Sequence, residues 1–130
     1  MASILIVEDD PAVGRLLDLA LAVDGHTTEV VTSGLLAQER LDGELTDVVL
    51  LDIMLPGVDG LTVLDELRSR PDWADTRVII LSALDGDEDV WRGWANGTDY
   101  YLTKPFDLAH LRAVITRLLA GEDLSQPRSA

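Results

Sequence analysis

Apolar residues along this chain gather in short unbroken runs, separated by stretches that repeat every three to four positions. Ile4-Leu5-Ile6-Val7, Val48-Val49-Leu50-Leu51 and Val78-Ile79-Ile80-Leu81 are rich in Leu and β-branched residues. That is the pattern of strands buried on both faces. The shorter segments Glu29-Val30-Val31-Thr32 and Tyr100-Tyr101-Leu102-Thr103 complete a set of five predicted strands. Between them lie helical patterns. Residues 11–22 read as a helix, with Asp10 as N-cap, Pro11 at the first helical position and Asp24-Gly25 as the stop. Residues 35–41 read as a second helix, ended by Asp42-Gly43. A third starts at Leu61, with Leu61, Leu64 and Leu67 on one face, and residues 71–76 read as a loop containing Trp73. A fourth is predicted over 87–96 with Gly97 at its end, and a fifth, capped by Asp107, from Leu108 to about residue 120. From Gly121 to Ala130 the chain is polar and aperiodic, which predicts one domain over 1–120 followed by a flexible tail or the start of a linker. Alternation of strand and helix implies right-handed crossovers and helices on both faces of a parallel sheet, the α/β class. The pattern alone leaves the strand order open.

A parallel sheet has a chemical consequence, because ligands bind at the carboxyl ends of its strands. Here the first strand runs into Glu8-Asp9-Asp10, the third ends in Asp52, the fourth in Ser82 and the fifth in Lys104. Pro56-Gly57 turns the chain just after Asp52. With the strands parallel, Glu8, Asp9, Asp52, Ser82 and Lys104 converge on one edge. Carboxylates are the hard oxygen ligands that Mg²⁺ prefers, and a hydroxyl with an ammonium partners phosphoryl oxygens. Asp10, directly before Pro11, reads as a helix cap rather than a member of the site.

The motifs Val7-Glu8-Asp9-Asp10-Pro11, Leu51-Asp52-Ile53-Met54-Leu55-Pro56-Gly57-Val58-Asp59-Gly60, Leu81-Ser82-Ala83 and Gly97-Thr98-Asp99-Tyr100-Tyr101-Leu102-Thr103-Lys104-Pro105-Phe106 occur in this order. In order and spacing the chain, from about residue 3 to 120, resembles the receiver domain of bacterial two-component response regulators. The resemblance implies a flavodoxin-like, doubly wound five-stranded sheet of order 2-1-3-4-5 with five helices. It implies a phosphoacceptor switch in which Asp52 takes a phosphoryl group from the phosphohistidine of a sensor histidine kinase or a phosphotransfer protein. By the same resemblance Glu8, Asp9, Asp52 and the Met54 backbone carbonyl hold Mg²⁺ (or Mn²⁺), with Asp9 as a direct ligand and Glu8 acting through water. Lys104 pairs with Asp52 at rest and with a phosphoryl oxygen afterwards. Ser82 hydrogen-bonds the phosphoryl group, Tyr101 is the aromatic switch, and the bond before Pro105 is cis. The output is a change in the surface of the fourth helix, fifth strand and fifth helix, read by a downstream domain or partner. Two departures bear on self-association: Tyr100 stands where many transcriptional members carry an Asp, and Val114 where an Arg is usual.

Composition narrows the alternatives. At 130 residues with 47% hydrophobic content the chain is long enough to bury about two-thirds of its unfolded surface. It has no cysteine and hence no disulfide framework. Its apolar runs are strand-length, and residues 1–7 carry no secretory pattern, which predicts a cytoplasmic protein with no membrane partner. A formal net charge of −14 opposes direct nucleic-acid binding and favours a monomer when unphosphorylated. An aspartyl-phosphate phosphatase would carry a second Asp two residues after the nucleophile, where this chain has Met54, so no turnover of an external substrate is expected. A flavin-binding module would need a Gly-, Ser- or Thr-rich phosphate loop where Glu8-Asp9-Asp10 stands, and a degenerate docking domain would not keep the full acidic, hydroxyl and lysine set. Trp91 and Trp94 are expected to share a core-facing side of the fourth helix, and His26 and His110 to be surface residues.

Overall fold

The computed structural model describes residues 2–82 and 97–124, and of Ser82 the backbone alone. Five strands, β1 (Ser3–Val7), β2 (Thr27–Val31), β3 (Val48–Asp52), β4 (Arg77–Ser82) and β5 (Tyr100–Thr103), form one sheet in the order β2-β1-β3-β4-β5. Every adjacent pair is parallel. The described helices are α1 (Pro11–Val23), α2 (Gly34–Arg40), α3 (Gly60–Ser69) and α4 (Leu108–Leu119), the last being the fifth helix that the sequence predicts. The predicted helix over 87–96, with Trp91 and Trp94, lies outside the described residues.

The central strands are apolar throughout because each alternates its side chains between two cores. Leu5, Val7, Val49, Leu51, Val78 and Ile80 face the α2–α3 side, where Val63, Leu64 and Leu67 pack on them. Ile4, Ile6, Val48, Leu50, Ile79 and Leu81 face the α1–α4 side, against Leu17, Leu21, Leu111 and Ile115. Burying one such side chain is worth about 1.5–3 kcal/mol, so these two layers dominate the fold's favourable energy.

Helix starts follow side-chain chemistry. Asp10 Oδ1 accepts from the Ala12 N–H at 2.9 Å, as its place before Pro11 predicts. Ser33 caps α2, Asp59 caps α3 and Asp107 caps α4 in the same way. Boundaries shift where pairing overrides propensity. β2 begins at Thr27 rather than Glu29 because Thr27 and Thr28 pair with Ser3 and Ile4.

Three local expectations are corrected. The 71–76 segment is not a plain loop: Pro71–Trp73 forms a 3-10 turn, and Trp73 is fully buried with its Nε1–H donating to the Leu41 carbonyl at 3.0 Å. His26 is half-buried, and its Nδ1 accepts from the Ala2 N–H at 3.2 Å. Val114 is 2% exposed and packs in the α1–α4 core, so an apolar residue there is a core requirement and not a missing surface charge.

Candidate functional site

Strand register assembles the site. Val7 pairs with Leu51, so Glu8 and Asp52, the next residue of each chain segment, arrive level at one edge of the sheet. Asp52 pairs with Leu81 and Ser82 with Thr103, which brings the end of β4 and Lys104 to the same edge. The sequence-predicted residues Glu8, Asp9, Asp52 and Lys104 are therefore brought together, and the backbone of Ser82 lies beside them.

The carboxylates differ in setting. Glu8 is 1% exposed and Asp52 3%, while Asp9 is exposed at the rim. One oxygen from each lies within 4.8 Å of the others, the convergence that a single small cation requires. Lys104 Nζ donates to Glu8 Oε1 at 2.7 Å and to Asp52 Oδ2 at 3.1 Å. The sequence pairs Lys104 with Asp52 alone, whereas the structure gives Glu8 the shorter bond. Glu8 carries one more methylene than Asp52, and it reaches the ammonium from the end of β1, one strand farther from β5 than β3.

The remaining oxygens are held by backbone. Asp52 Oδ1 accepts from the Met54 N–H at 2.9 Å, and Glu8 Oε2 from the Asp10 N–H at 3.1 Å. Burial pushes the Glu8 carboxyl above its ordinary range; the Lys104 and Asp10 donors oppose that shift, and the Asp52 charge adds to it. For Lys104, burial acts downward, but its bonds to Glu8 and Asp52 outweigh it and raise its pKa. The ammonium is thus firmly cationic at neutral pH.

The turn after Asp52 is tightly made. Gly57 has φ of 75°, a conformation costly for other residues. The Ile53 carbonyl accepts from the Leu55 N–H at 3.1 Å and the Gly60 N–H at 3.0 Å. Met54 stands at the outer side of this turn, 56% exposed. The Lys104–Pro105 peptide is cis. Tyr101 is 45% exposed on β5, and beside it the Tyr100 hydroxyl and His110 Nε2 lie 3.1 Å apart. Sequence reasoning missed two glycines, Gly34 and Gly60, whose absent side chains let helix starts approach this turn. The Asp59-Gly60 pair at the head of α3 was the available signal for the second.

Donors and charges of this kind suit a divalent cation and a phosphoryl group together, and known proteins share the fold that carries them. The family model for the response regulator receiver domain matches residues 4–116. Transcriptional regulatory protein TcrA of Mycobacterium tuberculosis is 44% identical over 124 residues, covering 95% of this chain and 48% of its own length. The chain spans about half the length of the curated relatives it matches. Among solved structures, the signal receiver domain of a histidine kinase from Syntrophus aciditrophicus superposes with a TM-score of 0.85 at 32% identity, covering 100% of this chain and 97% of that one. The receiver domain of a sensor histidine kinase from Pseudomonas aeruginosa, which has a magnesium ion coordinated in its active-site cleft, matches at 29% identity and a TM-score of 0.81, covering 92% and 98%. With sheet order, acidic cluster and motif order all in agreement, the chain belongs to the response regulator receiver domain family.

Proposed function

We propose that this domain is a phosphorylation switch in which Asp52 is the phosphoacceptor. An Asp52 carboxylate oxygen forms the new O–P bond while the N–P bond of a kinase or phosphotransfer-protein phosphohistidine breaks and its electron pair returns to the imidazole nitrogen. The observation that carries this reading is the convergence of Glu8, Asp9 and Asp52 within 4.8 Å under the Lys104 ammonium. Convergent oxygen donors, two of the three carboxylates buried, with one fixed cation beside them fit a divalent metal, as the P. aeruginosa relative supports.

Asp9, Asp52 and the Met54 carbonyl would hold Mg²⁺ (or Mn²⁺) directly, with Glu8 acting through water. When bound, the metal supplies positive charge for the phosphoryl oxygens. Lys104 exchanges its bond to Asp52 for one to a phosphoryl oxygen, and its link to Glu8 keeps the ammonium aimed at the site. The Ser82 hydroxyl donates to a phosphoryl oxygen, and Tyr101 turns inward behind it. The surface carried by β5, α4 and the segment preceding β5 then changes, and a downstream domain or partner reads that change.

Residues 1–120 would act as the receiver unit, with the stretch from 121 as the start of a linker. The relatives' greater length supports an output domain, and TcrA is a transcriptional regulatory protein. The strongly acidic surface argues that any DNA contact is made outside this domain. The site turns over no external substrate. Among the described residues no helix is long and apolar enough to cross a membrane; the likeness to a transcriptional regulatory protein is what supports a cytoplasmic setting.

The test is incubation with Mg²⁺ and acetyl phosphate. One hydroxylamine-labile phosphoryl group is expected per chain, abolished in Asp52→Ala. Labelling of that variant at the wild-type rate would overturn the assignment.

A further inference from the structure

We propose that Gly34, the first residue of α2, is a positioning residue for the turn between Asp52 and Gly60, and through that turn for the Met54 side of the site. The proposal rests on the roles given above to Asp52 and Met54. A Cβ added at Gly34 would stand 2.0 Å from the Val58 carbonyl oxygen, 2.8 Å from the Val58 carbonyl carbon and 2.9 Å from Val58 Cβ. The first two are backbone atoms, so no rotamer change relieves the overlap. Conformation does not demand a glycine here, because among the described residues the glycines of positive φ are Gly25, Gly57 and Gly121, and Gly34 is not one of them. The requirement is space alone.

The far end of the turn is held in the same manner. A Cβ at Gly60 would lie 2.4 Å from the Asp52 carbonyl oxygen and 2.7 Å from Ile53 Cα. The turn is therefore clamped between the starts of α2 and α3, each touching its backbone without an intervening side chain. Between the clamps Ile53 and Leu55 are buried, and the Ile53 carbonyl ties Leu55 to Gly60. An anchored turn of this kind shifts as a body. Displacing Val58 therefore moves Met54, whose N–H fixes Asp52 Oδ1 and whose carbonyl is a ligand in the metal role proposed above. The α2 helix supplies no residue to the carboxylate cluster, so Gly34 acts only through the turn.

Groups that orient metal ligands from behind typically alter affinity by about 10–100-fold when changed. Magnesium chloride is titrated into folded Gly34→Ala by calorimetry, well below its unfolding temperature, and labelling by acetyl phosphate is timed. A Kd for Mg²⁺ raised about tenfold, with labelling slowed in parallel, is expected. Leu17→Ala, in the core on the opposite face of the sheet, is the control for stability alone and should keep wild-type Mg²⁺ affinity. Wild-type affinity and labelling in folded Gly34→Ala would overturn the proposal, as would an equal loss in Leu17→Ala. If Gly34→Ala does not fold, Val58→Gly takes its place. It removes the Val58 side chain that meets the start of α2 and frees the backbone of the turn at that residue without adding an atom, and it should weaken Mg²⁺ binding by a smaller factor; unchanged affinity would again overturn the proposal. A wild-type protein that neither binds Mg²⁺ nor labels would instead remove the phosphoacceptor reading itself.

Discussion

Trp73 shows how a single residue can hold a fold together while giving little sign of it in the sequence. It follows Pro71-Asp72 in a stretch with turn composition, and no periodicity marks it as apolar core. In the structure it is fully buried among the α2–α3 layer, and its indole N–H reaches back to the Leu41 carbonyl that ends α2. Arg70 Nη1 donates to the same carbonyl at 3.1 Å, so that oxygen keeps a partner if the indole donor is lost. Trp73→Phe should therefore cost about 1 kcal/mol for the hydrogen bond and about 1–2 kcal/mol more for the smaller ring in a fully buried site. Trp73→Ala should cost about 3–5 kcal/mol through the cavity it leaves. Urea unfolding midpoints distinguish the two, and equal losses would show that the hydrogen bond, not ring burial, dominates. The site residues were more legible than Trp73, because a carboxylate at the end of a both-faces-buried strand violates the strand's own pattern. Asp52 and Glu8 stand out for that reason. The Glu8–Lys104 bond did not, since it depends on how far two side chains reach across β1, β3, β4 and β5.

At the scale of elements, the unbroken apolar runs of β1, β3 and β4 made the interior of the sheet readable. The edges were less so. β2 alternates exposed and half-buried positions, and its extent is set by pairing with β1, a relation between segments 24 residues apart that no local window contains. The Ser33 and Asp59 caps were available from composition, but each sits beside a glycine whose purpose is close approach to another element. Contacts between elements also carry charge. Arg112 of α4 reaches Asp24 at the end of α1, with Nε on Oδ2 at 2.7 Å and a second bond from Nη2. That hydrogen bonding holds the Asp24 carboxyl below its ordinary value of 3.8. A depressed folded-state pKa adds stability at pH above 3.8 and loses it as the pH falls through the lowered value. Asp24→Asn should therefore melt slightly below wild type at pH 7, and the gap should close on acidification below 3.8. Because the pair is exposed, the gap should also shrink in high salt. A gap that persists unchanged in acid would locate the effect in the helix end rather than in the ion pair.

Across the whole molecule the formal net charge of −14 sets how copies of the domain meet. Ten Lys and Arg side chains stand against 24 acidic ones. At least seven of the ten, Arg40, Arg68, Arg70, Arg77, Lys104, Arg112 and Arg117, are already engaged in ion pairs within the chain. Few cations remain to bridge to the acidic surface of a second copy. On β5, at a half-buried position beside the α1–α4 core, the resemblance leads one to expect an Asp at position 100. The chain instead places Tyr100 there, with its hydroxyl on His110 of α4 and the two rings edge to face at 5.8 Å. An aromatic pair held within one chain replaces a charge that could reach across to another. Val114 is buried and takes no part in any surface network. Like-charged surfaces repel over about 10 Å at moderate ionic strength, so repulsion is felt once a partner is nearly in contact, where a dimer would have to form. The unphosphorylated protein at micromolar concentration should therefore sediment as a monomer of 14.2 kDa. Raising the salt should permit weak association at most, since screening removes repulsion without creating a pairing surface. A stable dimer at low salt would show that apolar contact outweighs the charge and that the Tyr100–His110 pair is part of an interface rather than a substitute for one.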